Sequence, residues 1–143
     1  MVKNLPDKHV RKAVFDAVNN IVVDSQYIKC YDKRMTGSKY RNYILIKTQS
    51  NEVLSNNKCE KHWESQVLIE VFTRYSITGN TGSRLLADNI LDKVRANTDE
   101  LVLDLSSNLK IIQQSQSFPS DLQPPTENEI IYRKFIRIEM LIN

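Results

Sequence analysis

The chain is poor in the residues that carry most recognisable chemistry: 143 residues hold two histidines, two cysteines and three glycines. A zinc site needs about four ligands in tetrahedral array. Cys59 and His62 form C-x-x-H, a partial metal signature, but the remaining His9 and Cys30 belong to separate predicted elements. All four read as ordinary helix, strand or loop residues. Glycine scarcity works against phosphate cradles in the same way. The run ITGNTGSR places two glycines before a helix start, yet the G-x-x-x-x-G-K-[ST] and G-x-G-x-x-G spacings are both missing. A plain helix-start turn is the reading, and no cofactor is expected.

Long hydrophobic runs are missing too. The N-terminal MVKNLPDKHVRKAVFDAVNN lacks the apolar stretch of a signal peptide, and no window approaches the roughly 20 residues that span a bilayer. The expectation is a soluble chain with no membrane partner, in which Cys30 and Cys59 stay reduced. Nor is there an excess of one charge. Twenty basic and 17 acidic residues give a net charge of +3, too balanced for a protein whose main work is coating nucleic acid.

Catalytic constellations fare no better. Ser65 and Cys59 near His62 supply the composition of a nucleophilic centre but no nucleophile elbow. Glu64 and Glu70 fall on a strand face that reads as exposed, and with Asp88 they are solvated charges rather than an acid–base pair. Tyr27, Lys29 and Tyr31 offer only a faint version of an RNA-binding sheet. The chain is not expected to be an enzyme.

What is present is patterning. At 41% hydrophobic and 26% charged, a chain of this length folds as one domain, 1–143. Asn4, Pro6 and Asp7 mark a helix start, and Val10, Ala13, Val14, Ala17, Val18 and Ile21 recur at helical spacing. The basic residues Lys8, Arg11 and Lys12 lie on the other side, interrupted by Asp7 and Asp16, as a solvated face. QYIKCYD at 26–32 and YILIKT at 43–48 alternate as strands, the second continuing raggedly toward Leu54.

The most strongly patterned stretch runs from His62 to Val94: a long strand, a glycine-bearing turn, and a helix with Leu86, Ala87, Ile90, Leu91 and Val94 on its apolar stripe. In the strand, Trp63, Val67, Ile69 and Val71 fall on one pleat face, for helices to cover. Leu68, Phe72 and Arg74 fall on the other, interleaved with Glu64, Gln66 and Glu70, to meet solvent or a neighbouring subunit. LVLDLSS at 101–107 fits either a short strand or an apolar turn. LKIIQQSQS at 109–117 and EIIYRKFIRIEMLI at 129–142 are two further strands.

The order α, β, β, β, α, β, β, with connections too short for parallel crossovers, predicts an α+β fold. It is a two-layer sandwich of a mostly antiparallel sheet with two helices on one face. Two connections are longer than folding alone requires. The loop at 33–42 carries Lys33, Arg34, Lys39 and Arg41, and the loop at 118–128 carries three of the four prolines and is stiffened by Pro124 and Pro125.

Taken together, the VRKAVFDAVNNIV helix, the VLIEVFTRY strand, the turn into RLLADNILDKV, the proline-containing loop and the final R-K-F-I-R-I-E strand resemble the tail-terminator proteins of tailed bacteriophages. These are also called tail-completion or head-to-tail joining proteins. The resemblance is one of layout over nearly the full length. It implies a non-enzymatic protomer assembled in the host cytoplasm into a ring, typically a hexamer, that caps the tail tube in the virion and joins it to neck or connector proteins. DNA would pass through the lumen without specific binding. The two loops would be arms contacting neighbouring subunits or rings, with Lys33, Arg34, Lys39, Arg41, Gln123, Pro124 and Pro125 as candidate contacts, and Glu64, Gln66 and Glu70 as candidate lumen or subunit-contact positions. Two alternatives stay open: another neck ring, such as a stopper or adaptor, and a stand-alone module that binds nucleic acid or a small ligand.

Overall fold

A computed structural model describes residues 5–32, 42–53, 62–76, 84–119 and 129–143. The elements are α1 (Asp7–Val18), β1 (Ile21–Val23), β2 (Gln26–Tyr31), β3 (Asn42–Val53), β4 (Trp63–Ser76), α2 (Arg84–Asn97), a 3-10 turn (Leu105–Ser107), β5 (Ile111–Ser117) and β6 (Glu129–Ile142). Six strands form one sheet in the order β1-β2-β3-β4-β6-β5. Both helices pack on one face of it, so the α+β sandwich is the observed architecture.

The alternation in β4 sets the layers. Val67, Ile69 and Val71 are fully buried under the helices, and Trp63 packs against the same cluster. From β6 the helix side receives Ile136, Ile138, Met140 and Ile142; from β3, Ile44 and Ile46; from β2, Ile28 and Cys30. The helices answer with Val10, Val14 and Val18 from α1 and with Ala87, Ile90 and Val94 from α2, all fully buried. Leu86 and Leu91 pack at the margin of this core. The three- and four-residue spacing of those side chains places them on one stripe of each helix.

Four details refine or correct the sequence reading. The sheet is mostly antiparallel, but β2 and β3 run parallel, pairing Lys29, Cys30 and Tyr31 with Tyr43, Ile44 and Leu45. Only three rungs overlap. Second, Ile21 does not belong to the first helix. Helix α1 ends at Val18, Asn20 adopts φ 58°, and Ile21 opens β1. Third, a hairpin joins β1 to β2 through Asp24 and Ser25, both at positive φ (50° and 65°). That is the primed turn geometry whose twist matches that of paired strands. Fourth, Pro6 is the capping residue of α1 rather than a member of its first turn, and its carbonyl accepts from the Val10 N–H at 2.8 Å.

The LVLDLSS ambiguity resolves as a turn. Leu101, Leu103 and Leu109 are buried on the core, while Asp104 caps the 3-10 turn by accepting from the Ser106 N–H at 3.0 Å. This bond, with the Ser106 hydroxyl, holds the Asp104 carboxyl below its ordinary pKa. The proposed caps Asn4, Asn80, Thr81 and Ser83 lie outside the described residues, as does Cys59.

Partly buried polar side chains fix where the elements meet. The Gln49 side chain donates to the Asp7 carbonyl at 2.7 Å, and Asn51 donates to the Asp7 carboxylate, tying the start of α1 to β3. At the other end of the helix layer, Gln114 donates to the Thr98 carbonyl, and Gln116 donates to the Arg95 carbonyl and the Thr98 hydroxyl at 3.1 and 3.0 Å. These bonds satisfy carbonyls that the last turn of α2 leaves open. Between them, Lys134 of β6 reaches Asp88 of α2 at 2.9 Å.

Two outcomes are expected. Ile90→Ala removes a fully buried side chain and lowers stability by about 2–5 kcal/mol in urea unfolding, whereas Ile90→Asp buries an unpaired charge and abolishes the cooperative transition. A soluble, cooperative Ile90→Asp variant would mean that α2 presents a different face. Cys30 is buried, and burial, followed by the nearby Asp32, pushes its thiol up to about 12. An unfolded thiol titrates near 8.5, so the folded chain holds this proton more tightly, and the Cys30 contribution to stability declines as pH rises from about 8.5 toward 12. At pH 8 the native Cys30 resists alkylation and becomes reactive in denaturant, a difference read by peptide mass spectrometry.

Candidate assembly interface

The sheet face opposite the helices carries the alternate side chains of each strand, and Leu45, Glu70, Phe72 and Phe135 on it are buried. Its residues follow from the ladder registers: Tyr43 of β3 lies beside Phe72 of β4, which lies beside Arg133 of β6. Two residues along, Leu45, Glu70 and Phe135 form the next row. The rings of Tyr43 and Phe72 stack at 4.8 Å, and Tyr31 of β2 meets Tyr43 edge-on at 6.2 Å. An aromatic row thus crosses three strands, the geometry that cross-strand side-chain pairs favour.

Within this face Glu70 is 3% exposed. The expectation of a solvated carboxylate is overturned, because long neighbours close over it. Lys47 reaches one oxygen at 3.2 Å and the Arg133 guanidinium bonds the other. Both cations also lie over the Phe135 ring, each 5.7 Å from its centre. A buried carboxylate needs such partners, since an uncompensated charge out of water is costly. The bond to Glu70 raises the Arg133 pKa further above its already high value. Farther along, the Arg74 guanidinium sits 5.3 Å from the Phe72 ring centre.

The other end of the face is different. Glu64 and Gln66 are both half-buried, and Glu64 lies directly opposite Glu52 on β3 and Leu141 on β6. Gln66 lies between Ser50 and Glu139. A shallow depression here is bordered by Glu64, Glu139, Gln113, Ser115 and Leu141. Like charges directly across a strand pair are unfavourable in an isolated sheet.

The structure therefore brings Glu64, Gln66 and Glu70 onto one face, opposite the helices, as the alternation of β4 requires. Of the three, Glu70 is buried, while Glu64 and Gln66 are half-buried. Lys33, Arg34, Lys39, Arg41, Gln123, Pro124 and Pro125 lie outside the described residues. Of the two long loops, Asn42 belongs to β3, and Phe118 and Pro119 follow β5 without regular structure. Sequence reasoning missed Lys47, Arg133 and Phe135 as partners of Glu70. The signal was there in principle, because all four share one pleat face, but it requires the strand order. Among the described residues no group of three or more His, Cys, Asp or Glu side chains is placed to hold a metal ion, and no helix is long and apolar enough to cross a membrane.

No protein-family model matches the chain, and no curated protein matches it in sequence. Its fold does match a chain in the structure titled as the virion of a native gene transfer agent (GTA) particle. The TM-score is 0.62, with 97% of this chain and 99% of that chain covered, at 14% identity. The likeness is one of fold, and it spans both layers.

The Glu70 cluster supplies a stability test. Arg133→Ala leaves a buried carboxylate short of a partner and should cost about 1–3 kcal/mol in urea unfolding. That is less than the roughly 3–5 kcal/mol of a fully buried pair, because Arg133 and Lys47 keep 27% and 31% of their side-chain surface exposed. Adding Glu70→Leu to Arg133→Ala should recover most of the loss, a coupling that a double-mutant cycle measures.

Proposed function

We propose that this chain is a structural subunit of a bacteriophage virion, forming a ring that terminates the tail tube or joins the tail to the head connector. The observation that carries the reading is the end-to-end fold match with a chain of a virion particle, in which neither chain has a large unmatched part. The finer role comes from the tail-terminator resemblance of the sequence pattern. The role is non-enzymatic.

A ring subunit needs a stiff body and at least two different surfaces, because head-to-tail contacts are heterologous. The body is the two-layer sandwich. The sheet face opposite the helices supplies one surface, with its aromatic row, its neutralised Glu70 cluster and the carboxylates Glu52, Glu64 and Glu139. The segments 33–42 and 118–128 supply arms toward neighbouring subunits and the adjoining tail-tube and neck proteins, in a ring we take to be a hexamer. In this reading Lys33, Arg34, Lys39 and Arg41 meet protein rather than DNA, since a conduit that must release DNA gains nothing from gripping phosphates.

Neutralising those four residues together is expected to leave the unfolding transition within about 0.5 kcal/mol of the parent, as exposed loop charges do, while particles fail to join tails. Normal tail joining by the variant, scored by electron microscopy and infectivity, would remove the proposed role of this loop. A chain that stays monomeric at micromolar concentration in native mass spectrometry and is missing from averaged images of the virion neck and tail would overturn the ring reading itself.

A further inference from the structure

The two edges of the sheet are protected very differently. At one edge β1 has three residues, and beyond it the Cys30 N–H of β2 is covered by the Asn19 side-chain oxygen at 3.3 Å. At the other edge β5 runs for seven residues, IIQQSQS, with no charge and no proline. An edge strand presents a row of backbone donors and acceptors to any extended chain, and proteins usually blunt such edges with lysine, proline or brevity. Strand β5 has none of these, and its register shift between Ile111 and Gln113 lies at its start, before the Gln113–Ser117 run that pairs regularly with β6. Among the described residues no strand lies beyond it.

We infer that β5 pairs with β5 of a second copy of this chain, antiparallel and centred on Ser115, joining two six-stranded sheets edge to edge. The sequence around the edge is self-complementary in that register. Ser115 faces the partner's Ser115, Gln113 faces Ser117, and Gln114 faces Gln116. Ile112, within the register shift at the start of β5, and Phe118, just past its end, are 50% and 52% exposed and come beside each other in this register. Aromatic beside β-branched is among the favoured pairs, and no like charges meet. A one-residue slip would leave both apolar side chains without that neighbour.

The strand is also held ready. Gln114 and Gln116 are bonded to the last turn of α2, and β6 pairs along the inner side. A second strand would thus add to a fixed template at little cost in ordering. This contact is isologous, so it is separate from the heterologous contacts of a ring and goes beyond the function proposed above.

Disulfide trapping tests it, in a Cys59→Ser background. Residues directly opposite in an antiparallel pair have Cα atoms about 4.5–5.5 Å apart, inside the 4.4–6.8 Å range of disulfides. Ser115→Cys should therefore cross-link to itself under mild oxidation. Ser117→Cys should not, but should cross-link when mixed with Gln113→Cys. Ser115→Lys, with Glu139 opposite it on β6 to receive the charge, should keep the fold by circular dichroism and shift the chain from dimer to monomer in light scattering. Failure of Ser115→Cys to cross-link faster than Ser117→Cys overturns the proposal, as does a Ser115→Lys variant that remains fully dimeric. Rings or joined tails formed by folded Ser115→Lys bear on the ring reading alone, so the two can fail separately.

Discussion

One ladder organises this molecule: the antiparallel pairing of β4 with β6, unbroken from Trp63 opposite Ile142 to Ser76 opposite Glu129. Because side chains alternate along both strands in register, the ladder commits every second residue of each to the same side. Val67, Ile69 and Val71 then share a surface with Ile136, Ile138 and Met140, and that surface is wide enough to bury the stripes of both helices. The remaining strands extend the ladder outward, β3 and β2 on one flank and β5 on the other. A slip of one residue would turn Arg133, Phe135 and Arg137 inward and expose the isoleucines, so the hydrophobic pattern enforces the register.

The same ladder creates the problem that the open face must solve. Glu70 cannot avoid its position between Leu45 and Phe135, and long neighbours on both flanking strands leave it almost no contact with water. Lys47 and Arg133 resolve this by meeting the carboxylate from either side while spreading over the Phe135 ring. The result is a mixed face closed over Glu70, with an aromatic row beside it and the carboxylates Glu52, Glu64 and Glu139 at the far end. On the helix side a smaller version of the same solution appears, where Lys134 enters the interface and Asp88 meets it.

Where sequence reading succeeded, a single element carried the information. The spacing of Val10, Val14 and Val18, and of Ala87, Ile90 and Val94, is sufficient to place two helices. The alternation from Trp63 to Arg74 and from Tyr132 to Ile142 is sufficient to sort two long strands into faces. Where it fell short, the outcome depended on two elements at once. The Asp24–Ser25 turn was obscured because Ile21 continues the period of α1. The parallel pairing of β2 with β3 depends on how far a connection must reach, and a short overlap needs little. Gln114 and Gln116 read as plain polar strand residues until the end of α2 lies against them.

The sequence by itself determined the class of fold, the apolar face of each long element and the scarcity of metal-binding and nucleotide-binding motifs, because each is a local property of spacing and composition. Only the tertiary structure decided the strand order, the burial of Glu70 between Lys47 and Arg133, and the inequality of the two sheet edges. The physical reason is that charge burial and edge exposure belong to neighbours distant in sequence. Glu70 and Arg133 are brought together by strand pairing, and β5 is an edge because β6 returns between it and β4.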